Sequence, residues 1–305
     1  MAFPSDSRGR VLVTGLSGFT GRHLRPLLEL AGYSICDSEP DGGPDFDLTN
    51  LVTIEHMLDR TRPDFVLHLA GISFVAHGDP AAFYAVNTVG TTNLLDACHR
   101  SRLPIRRIVI ASSANVYGNA TVESIVESTP PVPVNDYACS KLAMEFMART
   151  WFDRLPIVIA RPFNYTGPGQ ALHFVVPKIV DHFARKSKRI ELGNLDIMRD
   201  FSDVRATADV YCRLVSGATV GETYNICSGR GHSLQWIVDR LTQISGHSLC
   251  VKVDPVFVRE TDVQRLVGSN EKLVKAVGPP QFVDFSETLR WMYEARCEEL
   301  RAVVV

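Results

Sequence analysis

The sequence predicts an α/β protein: a doubly wound parallel sheet joined to a smaller, mixed α/β lobe. Three observations predict it. A strand, a glycine turn, a helix and a second strand ending in an acid follow one another over residues 10–37. Buried-strand runs then recur at 64–71, 107–111 and 157–160, with helical patterns between them, as a parallel sheet with crossover helices requires. Past Asn164 that order gives way to a loop, short strands and helices in mixed sequence.

Arg10-Val11-Leu12-Val13-Thr14 is the first strand, and it runs into Gly15-Leu16-Ser17-Gly18-Phe19-Thr20-Gly21. A helical pattern follows in Leu24, Leu27, Leu28 and Ala31, and Gly32 stops it. Tyr33 to Cys36 reads as the next strand, with Asp37 at its end, nineteen residues past Gly18. The glycines permit a tight turn and let a pyrophosphate approach a helix N-terminus, where free N–H groups and the helix dipole favour anions. The spacing is GxxGxxG, and with its flanking elements it predicts a dinucleotide site. A carboxylate at Asp37 can accept hydrogen bonds from both adenosine-ribose hydroxyls and would repel a 2′-phosphate. Ser38 and Glu39 follow, where a 2′-phosphate would call for an arginine, so the reading is NAD.

Residues 45–49 form a polar loop and about 50–60 a helix. The run 64–71 is a third strand ending in small residues against which a cofactor can lie; His68 inside it reads as a packed wall residue. A long helical region covers about 80–100. Arg107 to Ala111 is the next strand and delivers Ser112-Ser113-Ala114-Asn115 at its C-terminal end, where open parallel sheets carry their sites.

Tyr137 and Lys141 then stand four apart in a run (Leu142, Ala143, Phe146, Met147, Trp151) of helical spacing. That separation stacks a phenol and an ammonium on one helix face. A phenol titrates near pH ~10 in water, too high for proton traffic at neutral pH. A fixed cation beside it favours phenolate and would bring it into range for a sugar hydroxyl. Ile157–Ala160 returns to the sheet. Beyond it we expect a loop at 165–170, helices from near 174, over 203–216, 233–245, 270–277 and 284–299, and strands at 190–192, 196–201, 223–227 and 249–253. The domains interleave: 1–165 with 203–228 for the dinucleotide, 166–202 with 229–305 for the substrate, the cleft lying between them.

Composition excludes other classes. The 305 residues are 45% hydrophobic and 22% charged with net charge −2, so no basic excess points to nucleic acid. Seven scattered cysteines without a CxxC pair read as reduced thiols in a cytoplasmic protein, with neither disulfide framework nor metal site. The polar N-terminus is no signal peptide, and no apolar run reaches the ~18–20 residues of a membrane span.

Together these residues resemble the sugar-nucleotide branch of the extended short-chain dehydrogenase/reductases, a Rossmann-type fold. The matches are Thr14-Gly15-x-x-Gly18-Phe19-x-Gly21, His68-Leu69-Ala70, Asn87, Ser113, Tyr137-x-x-x-Lys141, Arg161-Pro162-Phe163-Asn164 and Arg199-Asp200-Phe201. The stretches 162–170, 192–196 and 224–229, with Arg259 and 267–270, look like GDP-4-keto-6-deoxymannose reductases and their 4-epimerase relatives. The resemblance implies that Tyr137 is the acid/base, that Lys141 lowers its pKa and holds the nicotinamide ribose, and that Ser113 bonds the same sugar oxygen. It implies cofactor contacts at Gly15, Gly18, Phe19, Gly21, Asp37, Asp47, Leu48, Leu69 and Ala70. Asn164 and Arg199 would face the substrate pyrophosphate, where a guanidinium fork suits phosphate, with Arg259 and Asp262 near the nucleotide. One departure is informative: Asn115 stands where related dehydratases carry a glutamate base, and an amide cannot remove a proton, so 4,6-dehydration is not expected.

The implied chemistry is hydride transfer at C4 of a nucleotide-activated 6-deoxyhexose. Asp37 leans toward a retained NAD, and so toward net 4-epimerisation of the dTDP-L-rhamnose to dTDP-6-deoxy-L-talose type, serving cell-surface polysaccharide (O-antigen). The alternative is a 4-keto reductase of the GDP-4-keto-6-deoxy-D-mannose type. A third reading, a non-catalytic NAD-sensing regulator, is disfavoured because Ser113, Tyr137 and Lys141 are all present. The resemblance further implies a homodimer paired through the regions 80–100 and 137–153.

Overall fold

The computed structural model describes residues 8–37, 46–74, 78–254, 263–281 and 283–302. In chain order the first half gives β1 (Gly9–Thr14), α1 (Phe19–Leu30), β2 (Tyr33–Asp37), α2 (Leu51–Thr61), β3 (Phe65–His68), α3 (Pro80–Phe83), α4 (Thr91–Arg100), β4 (Arg107–Ala111), α5 (Asp136–Arg149) and β5 (Ile157–Pro162). The second half gives β6 (Asn164–Thr166), α6 (Val175–Ala184), β7 (Arg189–Leu192), β8 (Met198–Asp203), α7 (Val204–Gly217), β9 (Thr223–Ile226), β10 (Gly231–Ser233), α8 (Leu234–Ser245), β11 (Cys250–Val253), β12 (Arg265–Leu266), α9 (Glu271–Val277) and α10 (Phe285–Ala302).

Six strands form one parallel sheet in the order β2-β1-β3-β4-β5-β9. The chain leaves β1 to one side for β2 and returns on the other side as β3. That reversal opens a crevice at the C-terminal ends of β1 and β3, where such sheets bind ligands. Alternation along β1 explains the two layers. Val11 and Val13 point into the core beneath α1 and α7, while Leu12 points into the core beneath α2, α4 and α5. Both faces are covered, so the inner strands β1, β3, β4 and β5 are largely apolar along their length rather than on alternate residues.

The second sheet is small and mixed, ordered β10-β8-β12, with β6 also pairing to β8, and β7 pairs β11 separately. Its own core gathers Phe183, Ile190, Phe201, Ile237, Leu241 and Leu289. β6 directly follows β5 and belongs to this second sheet, so the site residues at 162–166 sit where the chain crosses from one body to the other. Leu273 of α9 packs back into the core under α1 and α7.

The helical region expected over 80–100 is not one helix. It is α3, a π-helical turn over Tyr84–Gly90, and α4. The wider turn lets Asn87 point inward: its amide donates to Ile72 O and Ser140 Oγ and accepts from Ile72 N. A π-turn at such a point commonly marks a functional wall.

Candidate active site

The turn after β1 is closed by Gly18 N donating to Gly15 O at 3.1 Å. Gly15 has φ 75°, and a Cβ on it would stand 3.0 Å from backbone atoms of Ala70. α1 starts with Gly18 as its N-cap, without a side-chain cap and without an acid in its first turn. Its first N–H groups and dipole therefore face the crevice, the arrangement that receives a phosphate anion. These residues fit a dinucleotide: Gly15, Gly18 and Phe19 line a cleft of about 440 Å³ together with Leu69, Ala70 and Gly71 on the β3 side.

Ser113, Tyr137, Lys141 and Asn115 line the same cleft. Ser113 leaves β4 in extended conformation and caps a 3₁₀ turn over Ala114–Tyr117, its Oγ accepting from Asn115 N and Nδ2, both at 3.1 Å. Tyr137 lies in the first turn of α5, which Asn135 caps by accepting from Ala138 N at 2.9 Å. The phenol is 6% exposed and hydrogen-bonded to Ser113. Lys141, one turn on, is equally buried, and Nζ donates to Ala111 O at 2.8 Å.

Burial raises the Tyr137 pKa to about 12; the Ser113 hydrogen bond pulls against it and nearby Tyr165 pushes further up. This corrects the expectation of a phenol lowered by its lysine. In the protein alone the cost of burying a phenolate dominates, and Lys141 donates its hydrogen bond to the Ala111 carbonyl instead. Burial likewise lowers Lys141 to about 8, with Glu145 opposing. The arrangement thus presents a neutral phenol, a proton donor at neutral pH, beside a hydroxyl that can steady the same acceptor oxygen. With a nicotinamide bound to supply hydride, Tyr137 is placed in the same cleft with a proton to give.

His68 is the wall residue the sequence suggests. Nδ1 meets Thr14 Oγ1 at 2.7 Å and Nε2 meets Thr91 Oγ1 at 3.0 Å. Full burial lowers it to about 3, so it stays uncharged and serves as a strut rather than a base.

The other expected residues divide. Asn164 lines the cleft, whereas Arg199 does not: it sits in β8 between His232 and Leu266, with Nη1 donating to Met198 O at 3.0 Å. Asp37 ends β2 with its carboxylate 3.1 Å from Arg25, and Arg60 donates to its carbonyl. Asp47 closes its own turn by accepting from Thr49, and Leu48 is buried in the core; neither lines the cleft. Gly21 is buried within α1. Ser38, Glu39, Arg259 and Asp262 lie outside the described residues.

Two groups escaped the sequence reading. Tyr165 stacks on Phe19 with 6.0 Å between ring centroids and shares a 2.7 Å hydrogen bond with Thr20, bridging the glycine turn and β6. Glu145 and Arg161 form an ion pair beneath the catalytic trio. An acid four residues beyond Lys141 was the available signal for the second group; nothing local marks the first.

The sequence profile of GDP-mannose 4,6-dehydratases matches residues 44–292, most of the chain. The chain belongs to that family of extended short-chain dehydrogenase/reductases. Among its relatives is the GDP-6-deoxy-D-talose 4-dehydrogenase of Aggregatibacter actinomycetemcomitans, 38% identical, covering 95% of this chain and 99% of the relative. The GDP-6-deoxy-D-mannose reductase of Pseudomonas aeruginosa is 33% identical over the same shares. A solved structure from Burkholderia cenocepacia J2315, provisionally named an epimerase, superposes with TM-score 0.89 at 44% identity, covering 96% of this chain and 99% of that one. RMD from P. aeruginosa complexed with NADPH gives 0.87 at 32% (95% and 99% covered), and UDP-glucose 4-epimerase of Thermus thermophilus with NAD gives 0.81 at 28% (94% and 98%). This member of the family is an enzyme of the extended type, with the Rossmann sheet and nicotinamide chemistry that the type entails. Among the described residues no helix is long and apolar enough to cross a membrane, and no cluster of His, Cys, Asp or Glu could hold a metal.

Proposed function

We propose that the enzyme exchanges hydride at C4 of a GDP-linked 6-deoxyhexose, in the net direction of 4-keto reduction. The observation that carries this is the convergence of Ser113, a protonated Tyr137 and Lys141 on the cleft that holds the glycine turn. A bound reduced nicotinamide would supply hydride to C4; Tyr137 gives its proton to the C4 oxygen, so that the ketone becomes an alcohol. Asn115 argues against the dehydration in the family's name, because its amide is occupied as a donor to Ser113 and has no basic form. GDP replaces the dTDP expected from the sequence, since the A. actinomycetemcomitans and P. aeruginosa relatives at 38% and 33% identity carry GDP in their names. NAD is the proposed cofactor on the strength of Asp37, whose carboxylate would meet a 2′-phosphate as a like charge. Asn164 and, less directly placed, Arg199, Arg259 and Asp262 are the proposed contacts of the substrate nucleotide. The two-part division into 1–165 with 203–228, and 166–202 with 229–305, belongs to the same proposal, as do a cytoplasmic setting and a product destined for cell-surface polysaccharide.

The test is to give purified protein GDP-4-keto-6-deoxy-D-mannose with NADH or NADPH, follow loss of reduced nicotinamide, and determine the C4 configuration of the product. Consumption with NADH preferred is expected. A second reading, net 4-epimerisation with retained NAD, is favoured by Asp37 alone. Oxidised NAD held through purification, with a GDP-6-deoxyhexose converted to its C4 epimer and no net NADH consumed, would establish it instead. The regulator reading predicts binding without turnover in both assays.

We also propose the homodimer. Cys139, Ala143 and Phe146 form a stripe at helical spacing on the outer face of α5, and Phe146 is 59% and Val89 51% exposed. A Phe146→Glu variant is expected to sediment as a monomer at micromolar concentration; dimeric behaviour unchanged by that charge would place the interface elsewhere.

A further inference from the structure

Beneath the catalytic trio lies a buried ion pair that the chemistry above does not use. Glu145 is 1% and Arg161 4% exposed. The guanidinium holds the carboxylate at two points, Nε to Oε1 at 2.8 Å and Nη2 to Oε2 at 2.6 Å. Ser112 Oγ donates to the same Oε1 at 2.6 Å. Arg161 Nη1 donates to Tyr117 OH at 2.8 Å, which donates in turn to Asn225 Oδ1 at 2.7 Å. The ring closes at the site: Lys141, one helical turn before Glu145, donates to the carbonyl of Ala111, the residue preceding Ser112. Replacing such a pair by apolar groups is often no less stable, so stability alone is a weak reason for it.

We propose that Glu145 is a positioning residue for Lys141: clamped by Arg161 and Ser112, its carboxylate fixes α5 against β4 and β5 and keeps the ammonium in its charged form. This rests on the proposed role of Tyr137 and Lys141 at a C4 oxygen. The groups facing Lys141 are Tyr137 and Glu145 on α5, His68 from β3 and the neutral amide of Asn87 from the π-turn. Of these Glu145 alone is an anion at neutral pH, because His68 and Tyr137 are held neutral by burial. It opposes the desolvation that brings Lys141 down to about 8. Without Glu145 the ammonium loses that anionic neighbour while its burial remains, and the loss pushes its proton off.

The experiment reads Lys141 directly. The chain has only seven lysines, so protein labelled with ¹⁵N-lysine gives few Nζ signals, and Lys141→Arg assigns the one needed. In cofactor-free wild type that signal is expected to titrate near pH 8. In Glu145→Gln the midpoint should fall by about one unit or more, as loss of a close counter-charge implies. In Glu145→Gln/Arg161→Met, where the same carboxylate is gone, it should fall by a similar amount. The falling alkaline limb of turnover, measured in the alcohol-oxidising direction, should move with it. The double variant replaces a buried pair rather than breaking it and is the one to rely on where the single variant does not fold. A midpoint unmoved in whichever variants fold, with turnover lost equally at every pH, would reduce Glu145 to a structural brace. A wild type that turns over no sugar nucleotide would sink the underlying reading while leaving the titration to stand or fall by itself.

Discussion

Replacing Tyr137 with Phe is expected to lower turnover about 10²–10⁴-fold, the usual contribution of a positioned general acid, or roughly 3–5 kcal/mol of transition-state stabilisation. The substitution keeps the ring, its burial and its packing against Phe83. It removes one hydroxyl and that hydroxyl's bond with Ser113, which costs about 1 kcal/mol of stability. The variant should therefore fold, bind the cofactor nearly as wild type, and fail at chemistry, with kcat falling and KM little changed. Direction can be read from pH. With Tyr137 near 12 and Lys141 near 8, the phenol carries its proton throughout the neutral range, so keto reduction should be flat there. Alcohol oxidation needs the phenolate, so it should climb as pH rises and decline once Lys141 loses its charge. A Tyr137→Phe enzyme retaining a tenth or more of wild-type turnover would remove Tyr137 from the reaction, and a rate profile that rises toward acid in both directions would assign the proton to another group.

The parts of this site visible in the sequence are those that local rules dictate. A glycine turn between strand and helix, an acid at the end of the second strand, and a phenol and ammonium one turn apart are each fixed by spacing along the chain. The elements follow because the inner strands, buried on both faces, show as nearly continuous apolar runs. What stayed hidden depends on partners distant in sequence. Glu145 reads as an ordinary helical acid until Arg161 is brought to it from β5 and Ser112 from the residue after β4. β6 reads as loop because its partner, β8, lies beyond α6 and β7. The helical pattern across 80–100 concealed the π-turn, since one extra residue per turn barely disturbs apolar spacing over so short a stretch. Tyr137's pKa moves opposite to the expectation from spacing for a related reason: the sequence reveals the neighbouring ammonium but not the depth of burial, and burial is the larger effect.

Gly21→Ala carries the largest expected effect on the fold itself. Gly21 sits inside α1, where alanine ordinarily gains about 1 kcal/mol over glycine. Here a Cβ would land on backbone atoms of Leu16: its carbonyl oxygen, carbon and Cα. Leu16 is 2% exposed and packed in the core, so it cannot retreat. Either the turn from Gly15 to Gly18 opens or α1 slides away from the sheet, and both moves carry the helix N-terminus off the crevice that would receive a pyrophosphate. Overpacking costs about 1–3 kcal/mol and more when nothing can yield. Against the helix preference a net loss of about 2 kcal/mol is expected, or roughly 3 °C in Tm for a chain of this size. Cofactor affinity should fall at least tenfold, read by titration of NADH fluorescence. Gly78→Ala is the matched control, because a Cβ there meets nothing within 4 Å. Should Gly21→Ala melt and bind NADH as wild type does, the turn would be free to flex, and the close seating of α1 on Leu16 would not be what shapes the phosphate end of the cleft.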